Sequence, residues 1–360
     1  MKEKRLDYEL MRIAAIFLVV FNHTDIRGFF LYQVPGGSAV NRILSLLLAT
    51  ICKIAVPMFF MISGGLLLNR NESISQLFRK RILRMGLVLA LFSGILYIFW
   101  IRWGFVPHPG VKDFIHRILT EGISIPYWYL YTYLGVLFLF PLLRPMAQNL
   151  SDQGYLWLFC VHFGFFGVIV PLSSILRLEP LNQYFITGLT MGAGAQKTPF
   201  MAGQAVYYLL MGYYFAHRFP WNQLTGKKLL WMGILAAASV CIMAGLSWWA
   251  FTGRGETSGV YMGALMELVV FFVYALIHQL TAWRPITGKM AKLIRELGSC
   301  VFGAYLLEGI FRRELDGIYL FLEPKIHVLP ACLCWAAAVV LCGMSVTWVL
   351  KRIPGIRKLL

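Results

Sequence analysis

The sequence predicts an all-α protein: a polytopic bundle of about ten transmembrane helices with both termini in the cytoplasm. Three observations predict it. Hydrophobic residues make up 59% of the 360 and charged residues only 14%, against roughly 25% in an ordinary soluble domain. The mean hydropathy is +0.69. A soluble globule of this size has too little interior for so much apolar surface, and a disordered chain would be far more polar. The third observation is the unbroken apolar run, such as ILAAASVCIMAGLSWWAFTG, where a membrane β-barrel would alternate apolar and polar residues.

A helix that crosses the bilayer takes about 20 residues, so ten use about 200. The apolar runs place them near 9–27, 43–68, 82–101, 127–146, 155–176, 200–217, 229–251, 259–281, 298–321 and 329–350. Arg12 and His23 inside the first run argue against a cleaved signal peptide. With no repeat, linker or low-complexity segment between runs, the chain reads as one domain, 1–360. The seven cysteines fall mostly within spans and read as small packing residues.

The formal charge is +17. In a soluble protein that would suggest nucleic acid, but here it serves topology, because basic residues hold loops on the cytoplasmic side. With the N-terminus inside, twenty Lys and Arg fall on inner segments and eleven on outer ones, including Arg177 and Lys197. Arg12 and Lys53 lie within spans. The expected location is therefore a membrane, with lipid as a partner and no nucleic acid.

An ionisable group in the hydrocarbon layer is costly, so each is a candidate for function. Arg12 and His23 are eleven residues apart in RIAAIFLVVFNH. Eleven steps of about 100° return to within about 20° of the same face, with a rise of about 16 Å. One helical stripe thus carries a guanidinium near one surface and an imidazole three turns away. Asn22 and Asp25 neighbour the histidine and would set its tautomer. Histidine is the usual general base near neutral pH. The competing reading is a snorkelling arginine and a helix-end histidine.

In the second run, VPMFFMISGGLLL, Pro57 loosens the helix, Ser63 adds a hydroxyl, and Gly64-Gly65 allow close packing. The loop after it, FRKRILR, clusters Arg79, Lys80, Arg81 and Arg84, residue types that suit phosphates. Anchoring by the positive-inside rule explains the same cluster. Trp128 and Tyr129 start an aromatic-rich span that reads either as an interfacial belt or as a stacking surface for an acceptor. Glu308 lies within a span, four residues before Arg312, as in an ion pair. Glu267 and His278 share a helix face, and Lys53 and His162 read as structural. There is no phosphate-cradling loop and no His-Glu-x2-His helix, so no ATP-driven pump and no metal is expected. His108-x4-Asp113 falls in an outer loop and is set aside.

These segments resemble the acyltransferase-3 family of bacterial membrane acyltransferases. LDYELMRIAAIFLVVFNHT is similar to its opening helix, with the family's basic-x10-His on Arg12 and His23. VPMFFMISGGLLL is similar to its Pro-x-Phe-Phe-x-x-Ser-Gly segment, at Pro57, Phe59, Phe60, Ser63 and Gly64. FRKRILR, YWYLYTYLGVLFLFPLLRP and FGAYLLE follow in order. Two departures stand out. The family's Arg-x3-Arg is here Lys80-x3-Arg84 with Arg81 beside it, and Glu308 stands where many members have a histidine. The resemblance implies a membrane-bound O-acyltransferase, usually an acetyltransferase. Such an enzyme takes its acyl group from cytosolic acyl-CoA and gives it to a hydroxyl of a surface glycan, a lipid-linked acceptor or another exported molecule. It implies donor binding by Arg79, Lys80, Arg81 and Arg84, with His23 either as general base for direct transfer or as the carrier of a covalent acyl-His intermediate. Arg12 would hold the donor or the developing oxyanion. Ser63, Asn22, Asp25, Trp128, Tyr129 and Glu308 would position substrate. The related membrane half of membrane-bound serine racemases keeps a second class open, a transporter of a small polar metabolite such as serine.

Overall fold

The computed structural model describes residues 5–120, 122–176, 201–257 and 260–360. Lys2, Lys4, Arg177 and Lys197 of the charge tally lie outside them. Among the described residues the chain is helical and without strands. The long helices are α1 (Leu6–Asn22), α2 (Ala39–Cys52), α3 (Ala55–Leu67) and α4 (Ile74–Arg102). A short helix α5 (Val111–Thr120) precedes α6 (Trp128–Asn149) and α7 (Asp152–His162), the last continuing through a π-helical stretch, Phe163–Ile169. Then come α8 (Met201–His217), α9 (Gly226–Arg254), α10 (Met266–Trp283), α11 (Gly288–Glu314), α12 (Asp316–Ile326) and α13 (Val328–Leu350).

Seven stretches among the described residues are long and apolar enough to cross a membrane. The expected spans also fall on α1, α8 and α11, which are not among the seven. The first two have 17 residues each, and α11 opens with Lys289, Lys292, Arg295 and Glu296. Packing explains how α1 carries Asp7, Glu9 and Arg12. It is ringed by α2, α3, α10, α11 and α13. Asp7 and Glu9 are buried and each meets an arginine, Arg5 and Arg12. A charge that is paired inside protein avoids the cost of lone exposure to lipid.

The glycines of α3 work as packing residues. A Cβ on Gly64 would collide with the Leu209 carbonyl of α8, and one on Gly212 of α8 with the Met61 carbonyl of α3. The two backbones meet through small residues, as close helix crossings in membranes require.

The expected 298–321 span is divided by a break at Leu315 between α11 and α12, and two further differences from the sequence reading shape the site. The first helix was expected to reach residue 27 but ends at Asn22, with His23 as its C-cap. The Thr24 hydroxyl donates to the Phe21 carbonyl, and Asp25 takes a left-handed φ of 51° that continues no helix. The expected helix 43–68 is broken into α2 and α3 by a turn at Lys53–Ile54. Pro57 has no N–H to donate to the carbonyl four residues back, which is that of Lys53. The ladder therefore opens there.

Candidate active site

Residues from α1, α3, α4, α6, α8, α10 and α11 surround one cavity of about 630 Å³, within the range of small-molecule sites. Arg12 and His23 both line it. The stripe expected from their spacing faces this space, and α1 separates the two by about 16 Å of rise.

The basic end of the cavity is built by α4. Its first turns contain a π-helical segment, Phe78–Ile82, whose extra residue per turn re-aims the side chains around it. Lys80, Arg81 and Arg84 line the cavity here, together with Arg12 and the ring of Tyr133. Arg81 grips Glu72 with two hydrogen bonds, 2.8 and 2.6 Å. Buried Arg144 donates to the same carboxylate at 2.7 Å and to the Glu72 carbonyl at 3.2 Å. The hydrogen bonds from Arg81 and then Arg144 hold the Glu72 carboxyl down at about 2. Arg84 donates to the Leu359 carbonyl at 3.0 Å, and Arg12 donates to Glu9 at 2.7 Å.

The middle wall is aromatic. Tyr129 stacks on Tyr133 and packs on Phe60 and Tyr305, with centroids 5.0–5.9 Å apart. Ser63, Tyr129 and Tyr133 all line the cavity. Tyr127 donates to the Leu306 carbonyl, and Tyr305 to that of Pro126, so the start of α6 is stitched to α11. Trp128 lines the same wall.

At the histidine end, the His23 ring is 16% exposed and its Nδ1 lies 3.1 Å from Glu308 Oε1. Glu308 is 1% exposed, and its other oxygen is 3.3 Å from Arg312 Nε. These are ion-pair distances without hydrogen-bond geometry. Arg312 also donates to the His23 backbone carbonyl at 2.6 Å, which pins the end of α1 to α11. Because Nδ1 is buried against Glu308, Nε2 is the ring nitrogen left for the cavity. Lys53, at the α2–α3 break, donates to Asn22 Oδ1 at 3.0 Å and sits 4.4 Å over the Phe29 ring.

The fold brings Arg12, Asn22, His23, Ser63, Lys80, Arg81, Arg84, Trp128 and Tyr129 to one cavity. Glu308 is outside the lining and stands behind His23. Asp25 and Arg79 are not brought in: both are exposed and neither lines the cavity. The left-handed turn carries Asp25 away from His23, and the π-turn keeps Arg79 on the outer side of α4. Lys53, read from sequence as structural, does line the cavity. The signal for it was Pro57, four residues later. The Glu72–Arg144 clamp was missed, since nothing local links residues so far apart. Glu267 pairs with His162 at 2.5 Å and His278 with Asp7 at 2.8 Å, and none of these four lines the cavity.

Chemically, the site offers anion-binding side chains at one end, a π-rich wall between, and an imidazole backed by a carboxylate at the other. The family model described as an acyltransferase domain, that of acyltransferase-3, matches residues 5–351. No curated protein and no solved structure matches the chain.

Proposed function

The chain belongs to the acyltransferase-3 family, and from that premise we propose that it is an O-acyltransferase, using acetyl-CoA or another acyl-CoA as donor. The acceptor is a hydroxyl of a cell-surface glycan, a lipid-linked glycan or another exported molecule. The protein sits in the bacterial plasma membrane with about ten spans, both termini and the basic end of the cavity on the cytosolic side. The observation that carries this reading is the single cavity that joins Lys80, Arg81 and Arg84 to His23.

The donor's phosphates rest on Lys80 and Arg84, with Arg81 held in place by Glu72. Arginine forks and a lysine point charge suit phosphate oxygens. The thin acyl-pantetheine arm runs past Arg12 and the Tyr129–Tyr133 wall towards His23. Arg12 is about 16 Å of helix rise from His23, so it serves the donor and not the oxyanion. The acceptor enters at the histidine end, beside Trp128. His23 Nε2 removes the hydroxyl proton as general base. Glu308, against Nδ1, holds the ring's orientation and offsets the imidazolium charge, the role of the carboxylate in a nucleophile–base–carboxylate arrangement.

The test gives purified protein acetyl-CoA, with and without a cell-envelope glycan extract, and measures the thiol released. Glycan-dependent release is expected from the wild type. His23→Ala should lower it roughly 1,000-fold, within the range for loss of a general base, with membrane insertion intact. Full activity in that variant would exclude His23 as base. Uptake of a polar metabolite such as serine into proteoliposomes, without thiol release, would replace the enzyme reading with a transporter.

A further inference from the structure

Acyl transfer needs a positive group where the thioester oxygen takes up charge. Removing one such donor in other enzymes costs 100- to 1,000-fold in turnover. The cations at the basic end are a helix length away, and each arginine there already has an oxygen partner, Glu9 for Arg12, Glu72 for Arg81 and the Leu359 carbonyl for Arg84. Arg312 lies behind Glu308 and is not part of the cavity lining.

Lys53 combines three features. It lines the cavity, and its Nζ is bonded to Asn22, the residue next to His23. Its neighbours include the Asn22 amide, whose Oδ1 also lies 3.6 Å from the Cys52 thiol, and the Phe29 ring, and among the described residues no carboxylate forms an ion pair with it. It also sits at the turn between α2 and α3, where Pro57 withholds the N–H that would otherwise donate to the Lys53 carbonyl. An ammonium held by neutral groups, with no carboxylate to offset it, keeps its field for a charge that develops later. That is the arrangement electrostatic preorganisation calls for.

We propose that Lys53 is the oxyanion-stabilising residue of the acyl transfer, with Asn22 as its positioning residue. The inference rests on the acyltransferase reading. The acceptor hydroxyl oxygen attacks the thioester carbonyl carbon while His23 Nε2 takes the hydroxyl proton. The carbonyl π pair moves onto oxygen, and the oxyanion forms against the Lys53 ammonium. Collapse restores the carbonyl and breaks the carbon–sulfur bond. The departing thiolate takes the proton from His23, leaving an ester and free CoA thiol.

The experiment compares wild type, Lys53→Met, Lys53→Gln and Lys53→Arg in nanodiscs, with acetyl-CoA and the envelope glycan extract, reading thiol release and thermal melting together. Lys53→Met should lower kcat roughly 100-fold, with the KM for acetyl-CoA and the melting midpoint unchanged. Lys53→Arg should recover part of the loss, since it keeps the charge. A purely structural lysine would lower the midpoint and leave kcat per folded molecule alone. Should Lys53→Met fail to fold, Lys53→Gln carries the test and the same kcat loss is expected. Wild-type kcat in whichever neutral variant folds overturns the inference and leaves the acyltransferase reading standing. Absence of His23-dependent release from the wild type overturns both.

Discussion

At the basic end of the cavity, Arg81, Arg144 and Glu72 close into side-chain hydrogen bonds of 2.6–2.8 Å. At the histidine end, the Glu308 carboxylate, 1% exposed, stands 3.1 Å from His23 Nδ1 and 3.3 Å from Arg312 Nε without hydrogen-bond geometry, while Arg312 is hydrogen-bonded to the His23 backbone carbonyl. The first arrangement is satisfied, and its remaining capacity is for an incoming anion. The second keeps buried polar atoms short of partners, which costs free energy in any low-dielectric interior. The contrast separates binding from chemistry. A dock profits from a rigid, paired scaffold, whereas a reacting group has to keep its field and its lone pairs available.

The contrast is broken most sharply at Glu308. Glu308→Gln keeps the shape and removes the charge behind His23. Turnover should fall on the order of 100-fold, as expected when the partner that orients a catalytic base is neutralised, with the KM for acetyl-CoA unchanged. A rise in KM with normal kcat would move Glu308 to the binding side.

The opposite signature is expected at the dock. Lys80→Gln with Arg84→Gln should raise the KM for acetyl-CoA roughly 10-fold, the scale of one or two charge-assisted hydrogen bonds, and leave kcat alone. Added salt should shrink the difference, since these side chains are exposed and screened. Arg81 stays intact in this variant, because its removal would take away two of the three side-chain hydrogen bonds that hold Glu72.

The smallest effect concerns pH. Glu72 is held by Arg81 and Arg144 at about 2, below its ordinary 4.5. A carboxyl lowered by folding stabilises the folded state fully above its unfolded value. That contribution declines as pH falls below 4.5 and is gone below about 2. Melting midpoints measured from pH 6 downward should therefore fall less steeply in Glu72→Gln than in the wild type. Equal slopes would remove the clamp from the account of the basic end.

Much of this site was legible in the sequence wherever one local element carried it. Arg12 and His23 share a helix, so spacing alone put them on one face, and Lys80, Arg81 and Arg84 form one short cluster. Pairings across elements were not legible. Glu308 announced its i+4 contact with Arg312 but not its place behind His23. Asp25, a neighbour of His23 in sequence, is turned away by its own backbone.

By itself, the sequence determined the membrane class, the helical elements, the α1 stripe and the family, because hydropathy, helical period and motif order are properties of the chain. Tertiary structure decided which polar groups meet: His23 with Glu308, Lys53 with Asn22, and Glu72 with both Arg81 and Arg144. The physical reason is that a polar group inside a membrane protein takes its partner from whichever helix packs beside it. Helix breaks such as the one opposite Pro57, and close crossings such as Gly64 on Leu209, fix which helix that is.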